Sequence, residues 1–170
     1  MNATDTRFKH EYNPAGPAAY FITFHTYGTW LHGDKRGSID RKVNNVPGTP
    51  ILSENSSREK LMQSRLKNPP VTLNWEQRKS IESTIEKVIK HNGWVLHAVN
   101  ARREHIHLVV TASKRPEPVM NELKSWCTRV LRESGLLGKE ISPWSRHGST
   151  RYLWSEKDVL EVVRYVRFGQ

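Results

Sequence analysis

Cysteine is nearly absent from the sequence, since Cys127 is the only one among 170 residues. A single cysteine excludes an internal disulfide and a zinc site built from several cysteines, so we expect Cys127 to be a small core residue. No apolar run approaches the ~20 residues that a membrane-spanning helix needs. Residues 1–16 are polar and lack the apolar core of a signal peptide. These absences predict a cytoplasmic protein with no membrane partner.

Acidic residues are also scarce. The chain has 17 Asp and Glu against 27 Lys and Arg, which gives a formal net charge of +10 and a pI near 9.9. A surplus of this size attracts polyanions and speeds their capture, so it favours nucleic acid as the partner. Charge alone leaves three alternatives open: a membrane surface, an acidic protein, and a basic surface that only keeps the protein soluble.

Apolar residues are sparse between residues 33 and 70, where Gly, Pro, Asn, Ser and charged residues dominate. Only the stretch 58–66 has a helical pattern there. Such a segment buries too little apolar surface to fold around a second core. The sequence therefore predicts one domain over residues 1–170, with an insertion or arm at about 33–70.

The rest of the chain alternates between two kinds of apolar pattern. Runs of β-branched and aromatic residues predict four strands, at 19–27, 94–101, 104–111 and 151–154. Helical stripes predict three helices: one capped by Asn74 and Gln77 and ending near 91–93, one at about 118–133, and one capped by Ser155. The order β-α-β-β-α-β-α contains the split-βαβ, ferredoxin-like unit. We therefore predict an α+β fold: an antiparallel sheet with helices on one face, and an extra C-terminal helix that carries Tyr165 and covers part of the other face.

His105 and His107 form an H-x-H motif on the third predicted strand. Side chains alternate along a strand, so both imidazoles point to one face while Ile106, Leu108 and Val110 point to the other. The apolar set predicts contact with the helices, which leaves the histidines on the open face. Two neutral imidazoles on one rigid strand can bind a divalent metal together. The motif alone is weak evidence, because surface or hydrogen-bonded histidines produce the same spacing by chance.

Tyr165 lies in the last predicted helix, in the sequence VVRYVRFGQ. Helical geometry places it at the edge of the apolar stripe formed by Val159, Val162, Val163 and Val166. A tyrosine at such a boundary can pack its ring and expose its hydroxyl, which could attack a metal-bound phosphate. Periodicity alone favours the alternative that Tyr165 is only a packing residue.

Five segments together resemble one known family. They are YFITFHTYGTWLHGD, HIHLVV, KSWCTRVLRESG, WSRHGSTRYLW and RYVRFGQ, and they extend over residues 19–170. Their motifs, spacing and order resemble the IS200-like tyrosine transposases, the single-tyrosine branch of the HUH nucleases, in which U is a hydrophobic residue. The resemblance is greatest to the subgroup of REP-associated tyrosine transposases.

The resemblance implies an enzyme that nicks single-stranded or hairpin DNA and rejoins strands. By this resemblance His105 and His107 would bind Mg²⁺ or Mn²⁺, which polarises the scissile phosphate. Tyr165 would attack the phosphorus and leave a 5′-phosphotyrosyl link and a free 3′-OH. Relatives carry a Gln or Asn one helical turn after the tyrosine as a third metal ligand, whereas this chain has Gly169 there and Gln170 one position later. Gln170 would reach the metal only if Gly169 breaks the helix.

Basic residues outside these motifs are candidates for DNA contacts. We expect Lys124 and Arg129 to bind DNA from the second long helix. Arg146, His147 and Arg151 surround a predicted Gly-Ser turn that would contact phosphates. For each of them the alternative is a solvated surface residue.

Two further groups are weaker candidates. Trp144 and Trp154 would stack on unpaired bases, or else belong to the core. The insertion would form an arm that orders on DNA, or only a mobile loop, through its basic residues Lys35, Arg36, Arg41 and Lys42.

The leading prediction is therefore a metal-dependent tyrosine transposase that acts on single-stranded or hairpin DNA in the cytoplasm, at the nucleoid. Dimers are common among insertion-sequence relatives, so the resemblance leaves a homodimer open. The first alternative is a catalytically inactive nucleic-acid-binding protein on the same fold, although such a protein need not keep both histidines and the tyrosine. The second is a metal-dependent hydrolase of small phosphoesters, which requires neither the positive charge nor Tyr165.

Overall fold

The computed structural model describes residues 16–35, 37 and 53–169. Its helices and strands are β1 Ala19–Thr26, α1 Ser56–Ser64, α2 Trp75–His91, β2 Val95–Ala101, β3 His105–Thr111, α3 Pro116–Glu133, β4 Trp144–Leu153 and α4 Glu156–Phe168. This is the predicted order, and α1 corresponds to the helical stretch expected at 58–66. The middle of the predicted insertion, with Arg36, Arg41 and Lys42, lies outside the described residues, as does the predicted ligand Gln170.

The four strands form one antiparallel sheet in the order β2-β3-β1-β4. β1 and β3 are its central strands, and β2 and β4 are its edges. This is the arrangement of the split-βαβ unit, so the predicted α+β, ferredoxin-like fold is confirmed. The pairing of β1 with β3 sets Thr23 opposite His107 and His25 opposite His105.

The first face of the sheet carries α2 and α3 and the larger core. Asn74 and Gln77 cap the start of α2 with reciprocal hydrogen bonds of 2.8 Å, as predicted. Cys127 on α3 is a buried core residue, also as predicted, and burial raises the pKa of its thiol to about 12. Strands and helices contribute fully buried apolar side chains to this core: Ile22, Phe24, Ile106, Leu108 and Val110 from the sheet, and Ile81, Ile85, Leu123 and Leu131 from the helices.

The second face of the sheet is covered in part by α4. Ser155 begins this helix as the predicted cap, in a reciprocal pair with Asp158. Val162 and Val166 are buried in a smaller cluster with Ala98 on β2 and Val109 on β3. Among the described helices, none combines the length and apolar character that crossing a membrane requires.

β4 is longer than predicted, and this changes the interpretation of one motif. The sequence predicts a short strand at 151–154 preceded by a Gly-Ser turn, but the strand begins at Trp144 and includes Gly148. Gly148 pairs with Phe24, and a Cβ atom built on it would lie 2.5 Å from the Thr23 carbonyl oxygen and 2.5 Å from the Met120 sulfur. The glycine therefore allows α3 to approach the sheet closely, and the predicted phosphate-binding turn is wrong.

Candidate functional site

His105 and His107 lie side by side on β3, on the second face of the sheet. Their ring centroids are 4.6 Å apart. Ile106 and Leu108, which alternate with them, are fully buried on the first face, so strand alternation places the two histidines as expected. The arrangement puts two nitrogen donors next to each other on a central strand, where the sheet limits their movement.

His107 is buried and oriented by a partner on the neighbouring strand. Its Nδ1 lies 2.7 Å from the Thr23 hydroxyl oxygen. Burial, followed by the nearby His105, His25 and Arg102, lowers the pKa of His107 to about 3. The imidazole is therefore neutral at neutral pH. When Nδ1 donates its hydrogen to Thr23, the lone pair is on Nε2, the nitrogen that remains to bind a cation.

Tyr165 lies beside these histidines. Its ring centroid is 5.9 Å from that of His107. Phe21 on β1 contacts both rings, at 5.5 Å from His107 and 6.2 Å from Tyr165. Tyr165 is 46 % exposed, so its ring packs while part of the side chain meets solvent. The structure thus brings together, within one chain, the predicted nucleophile and both predicted histidine ligands.

Polar contacts attach the C-terminal half of α4 to β2. The Asn100 side-chain amide donates to the Val166 carbonyl over 2.8 Å. The Arg167 guanidinium donates to the His97 carbonyl over 3.1 Å. Together with the buried Val162 and Val166, these bonds fix the helix on which Tyr165 stands.

Gly169 follows α4 and lies against the tyrosine ring. Its N–H still donates to the Tyr165 carbonyl over 2.9 Å, as in a helix, although α4 ends at Phe168. A Cβ atom built on Gly169 would lie 2.7 Å from Cδ2 of Tyr165. The ring therefore occupies space that a side chain at position 169 would need. Gln170, the predicted third ligand, is outside the described residues.

A third histidine, His25, belongs to the same site and was missed in the sequence. It is the cross-strand neighbour of His105, with ring centroids 5.5 Å apart, and its ring meets Trp30 edge-on at 4.3 Å. The signal was present: Ile22 and Phe24 point to the core, so alternation along β1 places His25 on the face of the H-x-H motif.

The imidazole pair fits a divalent cation in part. Among the described residues, no three His, Cys, Asp or Glu side chains are grouped closely enough to hold a metal ion. The neutral imidazole of His107 and the adjacent imidazole of His105 suit such an ion, and the Thr23 contact is the kind of partner that orients a metal-binding imidazole. The site would therefore supply two ligands to such an ion, and a further ligand would have to come from elsewhere, such as a substrate oxygen or water.

The predicted DNA-binding residues occupy different parts of the molecule. Arg151 pairs with Phe21 across the sheet, so it lies on the same face as the histidines and Tyr165. Partial burial lowers the pKa of its guanidinium, and Asp158 and Glu161 counteract that shift. Arg146 is exposed on the edge strand β4. Of the two arginines, only Arg151 is thereby placed on the face that carries Tyr165.

Lys124 does not have the surface position that DNA binding requires. It is buried, and its ammonium group donates to the carbonyl oxygens of Ser145 and His147 over 2.9 and 3.1 Å. Burial lowers the pKa of this group to about 8. Lys124 thus joins α3 to β4, and the expectation of a DNA contact is corrected.

The tryptophans and Arg129 also differ in position. Trp144 is a core residue whose indole N–H donates to the Lys124 carbonyl and the Thr128 hydroxyl, each over 3.0 Å, so it cannot stack on a base. Trp154 is half-buried and stacks on Tyr152, with centroids 5.9 Å apart. Arg129 is exposed on α3, on the opposite side of the sheet from Tyr165.

Comparison with known proteins relates the chain to one family. Residues 64–166, which include His105, His107 and Tyr165, match the family described as IS200-like transposases. The structure of a REP-associated tyrosine transposase bound to a REP hairpin is similar, with 14 % identity, a TM-score of 0.47, and coverage of 95 % of this chain and 70 % of that one. A protein of Deinococcus radiodurans R1 assigned as a transposase gives 11 % identity, a TM-score of 0.47, and coverage of 94 % and 96 %. No protein of curated function matches the sequence.

Proposed function

The chain belongs to the IS200-like transposase family, and from this membership we propose that it nicks single-stranded DNA and transfers the cut strand, in DNA transposition or in the processing of REP-like elements. One observation carries the proposal: the ring of Tyr165 lies 5.9 Å from that of His107, beside the H-x-H pair of the same chain. A hydroxyl nucleophile next to a pair of imidazoles that can hold a cation suits attack on a phosphodiester.

The proposed reaction is a transesterification. The Tyr165 hydroxyl oxygen attacks the scissile phosphorus and loses its proton to solvent. The bond from phosphorus to the 3′ oxygen breaks, and that oxygen takes up a proton and leaves as a 3′-OH. One phosphoester bond replaces another, so the 5′-phosphotyrosyl link keeps the energy for rejoining. A 3′-OH that attacks the link reverses the step and restores the tyrosine.

His105 and His107 would hold the divalent cation, Mg²⁺ or Mn²⁺, that the family implies. When bound, the cation withdraws charge from the scissile phosphate and favours attack on phosphorus. Thr23 would keep the His107 ring oriented through Nδ1. Gln170 stays our proposed third ligand.

The substrate is proposed to be single-stranded or hairpin DNA. The net charge of +10 supports a polyanionic partner. Arg151 beside the site and Arg146 on the β4 edge are proposed to contact its phosphates. Arg129, on the opposite face, would need DNA that extends beyond the cleavage site. A single chain supplies both the histidines and Tyr165, so the proposed reaction does not require a homodimer.

A catalytically inactive nucleic-acid-binding protein is the second candidate. Two observations favour it: Gly169 occupies the position of the family's third ligand, and the described residues contain no group of three metal-binding side chains. Such a protein would bind the same DNA and leave it uncut.

One experiment separates the two candidates. Wild-type protein is incubated with labelled single-stranded hairpin DNA and Mn²⁺, and covalent adducts are detected on a denaturing gel. We expect an adduct and a nick with the wild type, and neither with Tyr165→Phe, which keeps the ring and removes the attacking oxygen. Tyr152→Phe is the matched control, because Tyr152 packs edge-on against Tyr20 at 5.2 Å. Binding without any adduct would favour the inactive protein, and an adduct mapped to Tyr152 would relocate the nucleophile.

A further inference from the structure

A second basic region lies on the helical side of the sheet, away from Tyr165. It is an open groove of about 700 Å³ along the C-terminal half of α3 and the segment that follows it. Its charged lining consists of Arg129, Arg132, Lys139 and Glu133. We call it the α3 groove. Because α3 packs on the first face and the histidines lie on the second, the groove and the proposed cleavage site are on opposite faces of the sheet.

Two guanidinium groups in the α3 groove are held by contacts within the chain. Arg132 donates one N–H to the Ile141 carbonyl over 3.0 Å. Arg129 lies 4.6 Å from the ring centroid of Trp126, in a cation–π contact. A guanidinium carries several N–H donors, so each arginine keeps donors for a ligand. Charges that are already oriented lose less side-chain entropy when they bind than freely moving ones.

The composition of the α3 groove indicates the chemistry of its ligand. Three cations face one carboxylate, which favours an anion. Small-molecule sites are enclosed and have few charged groups, whereas this groove is open and four of its six lining residues are charged. Trp126 is 39 % exposed at its border, where an aromatic ring can stack on a base. An extended phosphodiester chain satisfies all three features.

The β4 edge provides a route between the two sites. β4 is an outer strand of the sheet and contacts α3. Arg151 lies on its site-facing side and Arg146 is exposed along it. We propose that the α3 groove binds the phosphodiester backbone of the DNA beyond the cleaved segment, with the DNA passing around the β4 edge. This inference rests on the proposed function, since it takes the cleaved strand to be part of the same DNA.

The test compares two triple variants of the full chain, both made with Tyr165→Phe so that the DNA stays intact. One carries Arg129→Gln, Arg132→Gln and Lys139→Gln. The matched control carries Lys79→Gln, Lys87→Gln and Lys90→Gln, which removes the same charge from α2 on the same face. Fluorescence anisotropy measures binding to a short single strand and to a hairpin with the same single-stranded flank, over a range of salt concentrations.

We expect the groove variant to lose on the order of tenfold or more in affinity for the hairpin, and the control much less. The slope of log K against the logarithm of the salt concentration should become less steep. The expected change is about 0.9 for each duplex phosphate that the variant no longer neutralises, or about 0.7 for each phosphate of a single strand. A loss confined to the hairpin identifies its stem as the ligand, and an equal loss on both DNAs identifies the single strand. Unchanged binding, or equal losses in the groove variant and the control, would overturn the proposal.

The wild type and both triple variants are also made with Tyr165 intact and assayed for covalent adducts. Adduct formation tests the cleavage mechanism, and DNA affinity tests the groove, so the two proposals can fail independently. If no adduct forms with the wild type while the groove variant still loses affinity, the cleavage mechanism fails and the groove stands. If adducts form normally and the groove variant binds like the control, the groove proposal fails and the cleavage mechanism stands.

Discussion

The two faces of the sheet differ in how much apolar surface they bury. Among the described residues, twenty buried side chains form the cluster on the first face, under α2 and α3, and six form the cluster under α4. On the first face, methyl groups and aromatic rings of the sheet pack against those of α2 and α3. The second leaves Tyr165 half-exposed beside two histidines. Most of the buried apolar surface and the proposed active site therefore lie on opposite sides of the same four strands, so most mutations should affect either the stability or the proposed activity.

The largest effect is expected from a cavity in the first face. Leu123→Ala removes a fully buried side chain of α3 and should lower the free energy of unfolding by about 2 to 5 kcal/mol. Val162→Ala on α4 removes fewer methyl groups and should cost about 1 to 2 kcal/mol. Urea unfolding followed by fluorescence measures both. Equal losses would mean that the two faces share the stability evenly.

The second-largest effect is expected from acid, which should lower the free energy of unfolding through His107 on the second face. His107 has a pKa of about 3 in the fold and 6.5 in the unfolded chain, so only the unfolded chain takes up this proton between those values. Its stabilising contribution is complete above pH 6.5 and is lost as the pH falls towards 3. At ~1.4 kcal/mol for each pH unit, the loss near pH 4.5 is about 2 to 3 kcal/mol.

Unfolding titrations in EDTA at pH 7 and 4.5 measure this loss. His107→Asn keeps a polar atom near Thr23 and cannot titrate, so its stability should depend less on pH than that of the wild type. His91→Asn is the control, because His91 is exposed. If the wild type and His107→Asn lose the same stability between the two pH values, this histidine is not the acid-sensitive group.

Removal of the Thr23 hydroxyl should act on metal binding more than on the fold. Thr23→Val deletes the group that orients His107, and loss of such a partner lowers metal affinity by about 10- to 100-fold. The fold should lose only about 1 kcal/mol, the net contribution of one hydrogen bond. Calorimetric titration with Mn²⁺ tests this. Thr23→Ser keeps the hydroxyl and should bind like the wild type, so equal binding by all three proteins would exclude the orienting role.

The smallest effect on stability is expected at Gly169. Alanine there should change the free energy of unfolding by about 1 kcal/mol, because its Cβ would lie 2.9 Å from the Tyr165 carbonyl oxygen and the end of α4, where the chain yields readily, would have to shift. Its Cβ would also displace the Tyr165 ring, from which it would lie 2.7 Å. We expect slower adduct formation with unchanged DNA affinity. An unaltered rate would show that the ring position in the free protein does not matter for attack.

Local patterns are sufficient to predict the fold and the facing of the histidines. The apolar run after His107 fixes which face of β3 is buried, and Asn74 with Gln77 defines a helix start. The distance between Tyr165 and His107 does not follow from such patterns, because it depends on how α4 packs across β2 and β3. Without the structure, only the family resemblance predicts that Tyr165 and the two histidines act in one site.

Three residues show how sequence patterns mislead. Gly148 and Ser149 form a dipeptide typical of turns, but Gly148 lies within β4. Its missing side chain leaves space for Met120 of α3, a residue distant in sequence. Lys124 is charged, which is typical of a surface residue, but it lies on the buried side of α3 with Leu123 and Cys127. There its ammonium group donates hydrogen bonds to carbonyl oxygens of β4. His25 is easily overlooked because its partner His105 is on another strand.

Trp154 and Ser155 alone connect β4 to α4. With so short a connection, the helix folds back onto the sheet of its own chain, where Val162 and Val166 are buried. Each molecule therefore keeps its own tyrosine. For the proposed cleavage we expect the adduct to form on the molecule whose own His107 lies beside that tyrosine, so Tyr165-deficient copies mixed with intact ones should carry no adduct.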